Sequence, residues 1–225
     1  SHRVSPESDF NQILSNLDSY TILYLDAGRY NIGNLVLRNL EHIYMYGNGA
    51  QIMNNVCDGD MISFQNCHHI VLVNLGLRGG VYEGNRGNLL KIENCQEVRL
   101  ESVNLCSNKD CGILAMDSSF MIRNSKIKNC HYHAVRLERT ECEMDHVKVR
   151  RNVTFDSVLY GFDSNILARD ITVKHNEANS YLLELRDTKF ICQDVIFLRN
   201  ICIGISNIDN IPGIEEKQNT FVPAG

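Results

Sequence analysis

Apolar and polar residues along Met61 to Phe197 follow one 17-residue phrase that recurs six times. It reads MISFQNCHHIVLVNLGL from Met61, LLKIENCQEVRLESVNL from Leu89 and CGILAMDSSFMIRNSKI from Cys111. It returns as HAVRLERTECEMDHVKV from His133, SVLYGFDSNILARDITV from Ser157 and YLLELRDTKFICQDVIF from Tyr181. Successive starts at 61, 89, 111, 133, 157 and 181 differ by 28, 22, 22, 24 and 24 residues, the period of a coil-type solenoid. Position 10 holds Ile70, Val98, Phe120, Cys142, Ile166 and Phe190, and position 12 holds Leu72, Leu100, Ile122, Met144, Ala168 and Cys192. Position 17 is also apolar throughout, from Leu77 to Phe197. These positions alternate with polar ones, as strands with one buried face require. Position 14 is polar in every copy (Asn74, Ser102, Asn124, His146, Asp170, Asp194) and marks a corner between sheets. The pattern predicts an all-β, single-stranded parallel β-helix of about 8 coils and three sheets, each coil about 4.8 Å above the last.

Ser5-Pro6-Glu7 reads as a helix start, and Phe10, Ile13, Leu14 and Leu17 follow at helical spacing. A helix over residues 5–17 is expected to cap the first coil, whose edge would otherwise lie open. Coils then run over residues 21–211, with a turn at Gly47-Asn48-Gly49 and a projecting loop around Gly79 to Gly87. Residues 212–225 are expected as a tail folding back over the far end. Asn108, Asn152, Asn176 and Asn200 recur three places after position 17, with Asn129 one place early. Asn tolerates left-handed backbone, so these predict tight corners and a stacked ladder. The whole chain is read as a single domain, a piece of a longer protein.

The order helix, ILYLDAGRY, NLVL, HIYMYGNGAQI resembles the opening of right-handed parallel β-helix proteins of the pectin-lyase-like group. There a helix precedes a φxφPxGxY strand and a φxGxG turn; Asp26-Ala27 stands here where Pro is common. Resemblance to that group's hydrolases would imply Asn-Thr-Asp, Asp-Asp, Gly-His-Gly and Arg-Ile-Lys motifs. None is present, the nearest being Lys126-Ile127-Lys128.

A net charge of −5 argues against broad phosphate-backbone binding, so no nucleic-acid partner is expected. No apolar run reaches the roughly 20 residues of a membrane span. Nine Cys without paired spacing read as reduced thiols of an intracellular, cytoplasmic protein. Cys67-His68-His69 beside Cys95, and Cys130-His131-Tyr132-His133, lack the spacing of structural zinc sites, so no metal and no cofactor is expected.

Stacking would bring His146, Asp170 and Asp194 together, the strongest catalytic candidate, but a solvated corner explains the same column. A basic set carries more weight: Lys126, Lys128, Lys148, Arg150, Arg151, Lys174, His175 and Arg199 fall within positions 16 to 20 of four consecutive coils. Such a stripe could receive an acidic segment of a partner protein; the bland explanation is edge strands protected by charge. The leading expectation is therefore a non-catalytic interaction domain. Coil style is similar to the β-helix of the SHC-binding protein and nessun dorma family, which implies a scaffold role in cell division, binding to centralspindlin and a glycan partner. Two alternatives stay open: a carbohydrate-binding module or polysaccharide lyase or hydrolase, with Tyr132, Tyr160 and Tyr181 as platforms, and the substrate-recognition β-helix of a ubiquitin ligase.

Overall fold

The computed structural model describes residues 1–54, 59–80 and 87–224. It is a parallel β-helix of about 8 turns, with one short helix among the described residues. Its strands form a 14-stranded, an 8-stranded and a 4-stranded sheet, all paired in parallel. The alternation fixes the register. Ile70, Val98, Phe120, Cys142, Ile166 and Phe190 pair in succession, coil on coil. Leu77, Leu105, Ile127, Val149, Val173 and Phe197 do the same, each at most 1% exposed. Only Phe190 and Cys192 emerge to half-burial, because the next strand, Ile214–Lys217, covers just Val195 to Leu198.

The 14-stranded sheet bends at position 14. Asn74, Ser102, Asn124, His146, Asp170 and Asp194 all adopt left-handed backbone, with φ of 49° to 55°. That conformation swings the chain from one wall to the next, while strands such as Asn165–Lys174 run on through it. An apolar, β-branched residue would be strained there, which accounts for a column that is polar in every copy.

Two hydrogen-bonded ladders line other corners. Asn152, Asn176, Asn200 and Asn219 stack so that each carboxamide oxygen after that of Asn152 accepts the backbone N–H and side-chain N–H of the Asn one coil before. The first three are at most 2% exposed. Here the expectation needs correction: the left-handed residue is not the ladder Asn but the one before it. Ser107, Asn129, Arg151, His175, Arg199 and Gln218 hold φ of 53° to 63°. Asn129 is early because it is that corner residue, and Cys130 fills the ladder place above Asn152. The Asn152-Val153-Thr154 sequon is likewise structural, since its amide is sequestered in the ladder. The second ladder runs through Cys67, Cys95, Ser118, Thr140, Ser164 and Thr188. Each sulfur or hydroxyl after Cys67 accepts the backbone N–H of the rung before it.

The ends depart from the sequence reading. The helix is Phe10–Ser15, shorter than 5–17, and its N-cap is Asp9, whose side chain accepts from the Gln12 N–H. Ser5 to Ser8 forms a turn instead, joining the helix to a first strand, His2–Val4, that pairs with Ile22–Leu25. Phe10 and Leu14 are buried as a cap requires. Gly47-Asn48-Gly49 does not break its strand; Glu41–Met53 is continuous, with a bulge between Tyr46 and Ala50 that widens the corner facing Asn74. The tail does not fold back either. Ile214–Lys217 and Thr220–Phe221 continue the coil, held by Asn219 as the last ladder rung. The projecting loop falls largely on residues 81–86, outside the described residues.

Candidate functional site

The second wall of the bent sheet carries the basic set in register. Lys126 pairs with Lys148, Lys128 with Arg150, and Arg150 with Lys174. Arg151, His175 and Arg199 sit at the adjoining corner in left-handed backbone. Isoleucine or valine at position 17 turns inward between them, so the cations of positions 16 and 18 point out. Among the described residues, Lys126, Lys128, Lys148, Arg150, Arg151 and Lys174 form no ion pair, and the Arg199 side chain donates to Gln218. Arg150 Nε and the Asn104 side-chain oxygen, in the same two outer columns, are buried without a hydrogen-bond partner. Edge protection does not explain this array. Its strands, Lys126–Cys130, Lys148–Arg150 and Asn165–Lys174, are paired on both sides inside the sheet. Like charges directly opposite on neighbouring strands are destabilising, and here they stack three deep.

The first wall holds an open groove of about 940 Å³ along the stack. Outward residues line it: Tyr44, Arg99, Glu97, Glu141, Glu143 and Asn165, with apolar Val71, Met121, Leu167 and Ile191 between. The three tyrosines expected as platforms are not among its lining residues. Tyr132 packs edge-on against His133, and Tyr160 lies between Arg136 and Arg186, whose guanidinium carbons are 5.3 and 6.0 Å from its ring.

His146 and Asp170 do meet, with Nε2 3.0 Å from the carboxylate, and His146 Nδ1 is 2.7 Å from Asp145. That hydrogen bond holds the Asp145 carboxyl below its ordinary range. Asp194 bonds Gln193 instead. All three column residues are exposed, His146 and Asp170 by about 60%, and none lines the groove. The arrangement is a surface contact at a left-handed corner.

The two Cys-His runs are divided by the wall. Cys67 and Cys95 face inward, bonded to the carbonyls of Gln65 and Glu93, while His68 and His69 face out. Hydrogen bonding with Cys67, then burial, pushes the Cys95 thiol up. Cys130 and His133 are buried, His131 exposed, and the His133 Nδ1 lies 2.7 Å from the Ser157 carbonyl. Burial drives the His133 pKa below its ordinary value. What the sequence reading missed is Glu97: it occupies the same place after Cys95 that His69 occupies after Cys67, and so lies one coil beyond it.

The fold and walls define the class as far as architecture: a parallel β-helix with three parallel sheets. No protein-family model matches the sequence, nor does the sequence of any curated protein. Two crystal structures of pectin methylesterase from Aspergillus niger are similar to it. The penultimately deglycosylated form aligns with a TM-score of 0.64 at 12% identity, covering 99% of this chain and 85% of that one. The deglycosylated form aligns with a TM-score of 0.60 at 12% identity, covering 99% and 86%. At such identity the likeness is one of fold. No helix of the described residues is long and apolar enough to cross a membrane.

Proposed function

We propose that this chain is a non-catalytic interaction domain whose basic wall docks an acidic, extended segment of a partner protein. The observation that carries the reading is the in-register column Lys128, Arg150, Lys174, flanked by Lys126 and Lys148, without a carboxylate partner and away from any sheet edge. From the coil of Lys126 to that of Arg199 the cations rise through three steps of about 4.8 Å, the length of four or five extended residues. On a chain of net charge −5, a local positive face also orients approach of the partner. The eight free cysteines among the described residues support an intracellular setting. The family resemblance carries a finer form of the proposal, in which the partner belongs to centralspindlin during cell division.

The test is anisotropy of a labelled Glu/Asp-rich peptide with the whole chain. Charge reversal at Lys148, Arg150 and Lys174 together is expected to weaken binding about tenfold or more, and added salt to weaken the unaltered chain. Binding unchanged by the triple reversal removes the proposal.

A second reading rests on the groove of the first wall, whose mixture of Tyr44, carboxylates, Arg99 and Asn165 suits a glycan. Saturable binding of a polysaccharide that survives the triple reversal but is lost with Tyr44→Ala and Glu143→Gln would favour it. Turnover of that polysaccharide would replace the non-catalytic reading.

A further inference from the structure

At the N-terminal end of the groove, four successive coils turn with one residue more than the coils that follow. Tyr20, His42, His69 and Glu97 each occupy that extra place in left-handed backbone, with φ of 53° to 64°. From the next coil on it is missing: Asp117 is followed by Ser118, Ser119 and then the inward Phe120. The extra residue lifts one side chain per coil clear of the wall. Tyr20 stacks on His42 at 4.8 Å between ring centroids, and His42 on His69 at 4.5 Å, nearly parallel in both cases. The stack fixes the plane of the His69 ring. Its Nε2 faces the Glu97 carboxylate, and its Nδ1 lies 2.7 Å from Nδ1 of His68, whose ring meets it edge-on. One donor atom from each of His68, His69 and Glu97 lies within 4.8 Å of the others.

We propose that His68, His69 and Glu97 bind a divalent transition-metal ion, with zinc the best match. Two imidazoles and one carboxylate are a nitrogen and oxygen donor set that suits zinc over calcium or magnesium. Tetrahedral coordination at about 2.0–2.2 Å needs donors roughly 3.4 Å apart, so the neighbours now closer than that to His69 must part while the wider separation in the cluster closes. His68 and Glu97 are exposed and can turn about their side-chain torsions to do so, while the stacked His69 stays in place. Three protein ligands leave a fourth position open, on the side where His69 and Glu97 line the groove. An oxygen of whatever occupies the groove could complete the set. The buried thiols of Cys67 and Cys95 take no part, since both are committed to backbone carbonyls inside the coil.

Titration of the whole chain with zinc chloride in a non-coordinating buffer, followed by calorimetry, tests the site. One saturable equivalent is expected, weakened about tenfold or more by His69→Ala and by Glu97→Gln, and unchanged by His175→Ala. Cobalt substitution should give d–d bands without a thiolate charge-transfer band. Both variants alter surface side chains, and far-ultraviolet circular dichroism verifies that they are folded. Absence of binding, binding indifferent to both variants, or a thiolate band with cobalt each overturns the proposal. None of these outcomes bears on the basic wall, which is tested separately.

Discussion

Asn176 and Asn129 look alike in the sequence and do opposite things in the coil. The Asn176 oxygen accepts two N–H groups of Asn152, and its amide donates to the Val149 carbonyl and to Asn200. Removing that side chain leaves several buried polar groups unpaired, at about 1–3 kcal/mol each before relaxation. Asn176→Ala is therefore expected to lower unfolding free energy by roughly 2–4 kcal/mol, whereas Asn129→Ala costs the left-handed preference and one long hydrogen bond to the Cys106 sulfur, about 1 kcal/mol. Equal losses in urea unfolding would contradict the ladder. His133 gives a second test at this scale. Burial depresses its pKa, so the folded chain keeps it neutral where the unfolded chain takes up a proton. Stability is full above about pH 6.5 and falls as pH drops through that value toward the folded pKa. Asp117 and Asp145, depressed by Arg139 and His146, lose their contribution only in the lower carboxylate range. The urea midpoint should decline between about pH 7 and 5.5, and His133→Gln should flatten that decline. A slope indifferent to the substitution would sink the assignment.

At the scale of elements, the short helix matters through two side chains. Phe10 packs on Tyr30 at 4.9 Å between ring centroids, and Leu14 is fully buried over the first coil. Six residues are too few to hold a helix alone, so its stability comes from this contact and from the Asp9 cap. Leu14→Ala is expected to cost about 2–4 kcal/mol, as for other buried leucines. A shift below about 1 kcal/mol in the denaturation midpoint would mean that the helix does not seal the coil. The sequence placed the apolar spacing of this helix correctly and its start too early. Ser5-Pro6 is a good opening for a helix, but the parallel pairing of His2–Val4 with Ile22–Leu25 draws the preceding chain into the sheet. The same kind of long-range pairing carries Ile214–Lys217 onward as another coil, where composition alone suggested a loose tail.

For the whole molecule, stacking turns short-range sequence into long columns, and this is where chemistry is either gathered or merely aligned. The position-14 column aligns His146 and Asp170 at an exposed corner because left-handed backbone selects polar residues there. The basic wall is different, since nothing in the backbone geometry of positions 16 and 18 demands cations. Its legibility in the sequence comes from the narrow spacing of 22 to 24 residues in the later copies. The His68, His69 and Glu97 cluster was not legible in the same way, because its third member lies 28 residues on from His69 and reads as unremarkable until the coils are superposed.

The sequence by itself determined the strand periodicity, the inward columns at positions 10, 12 and 17, the polar corner, and hence the parallel β-helix. A period-2 pattern in one buried wall leaves a single register that keeps every apolar residue inside. Tertiary structure decided what that pattern does not encode. It chose which of two neighbouring residues takes the left-handed corner, divided Cys67 from His68 across the wall, and placed the cationic strands inside the sheet rather than at its edge. Each of these depends on contacts between coils some twenty residues apart, which only the closed solenoid brings together.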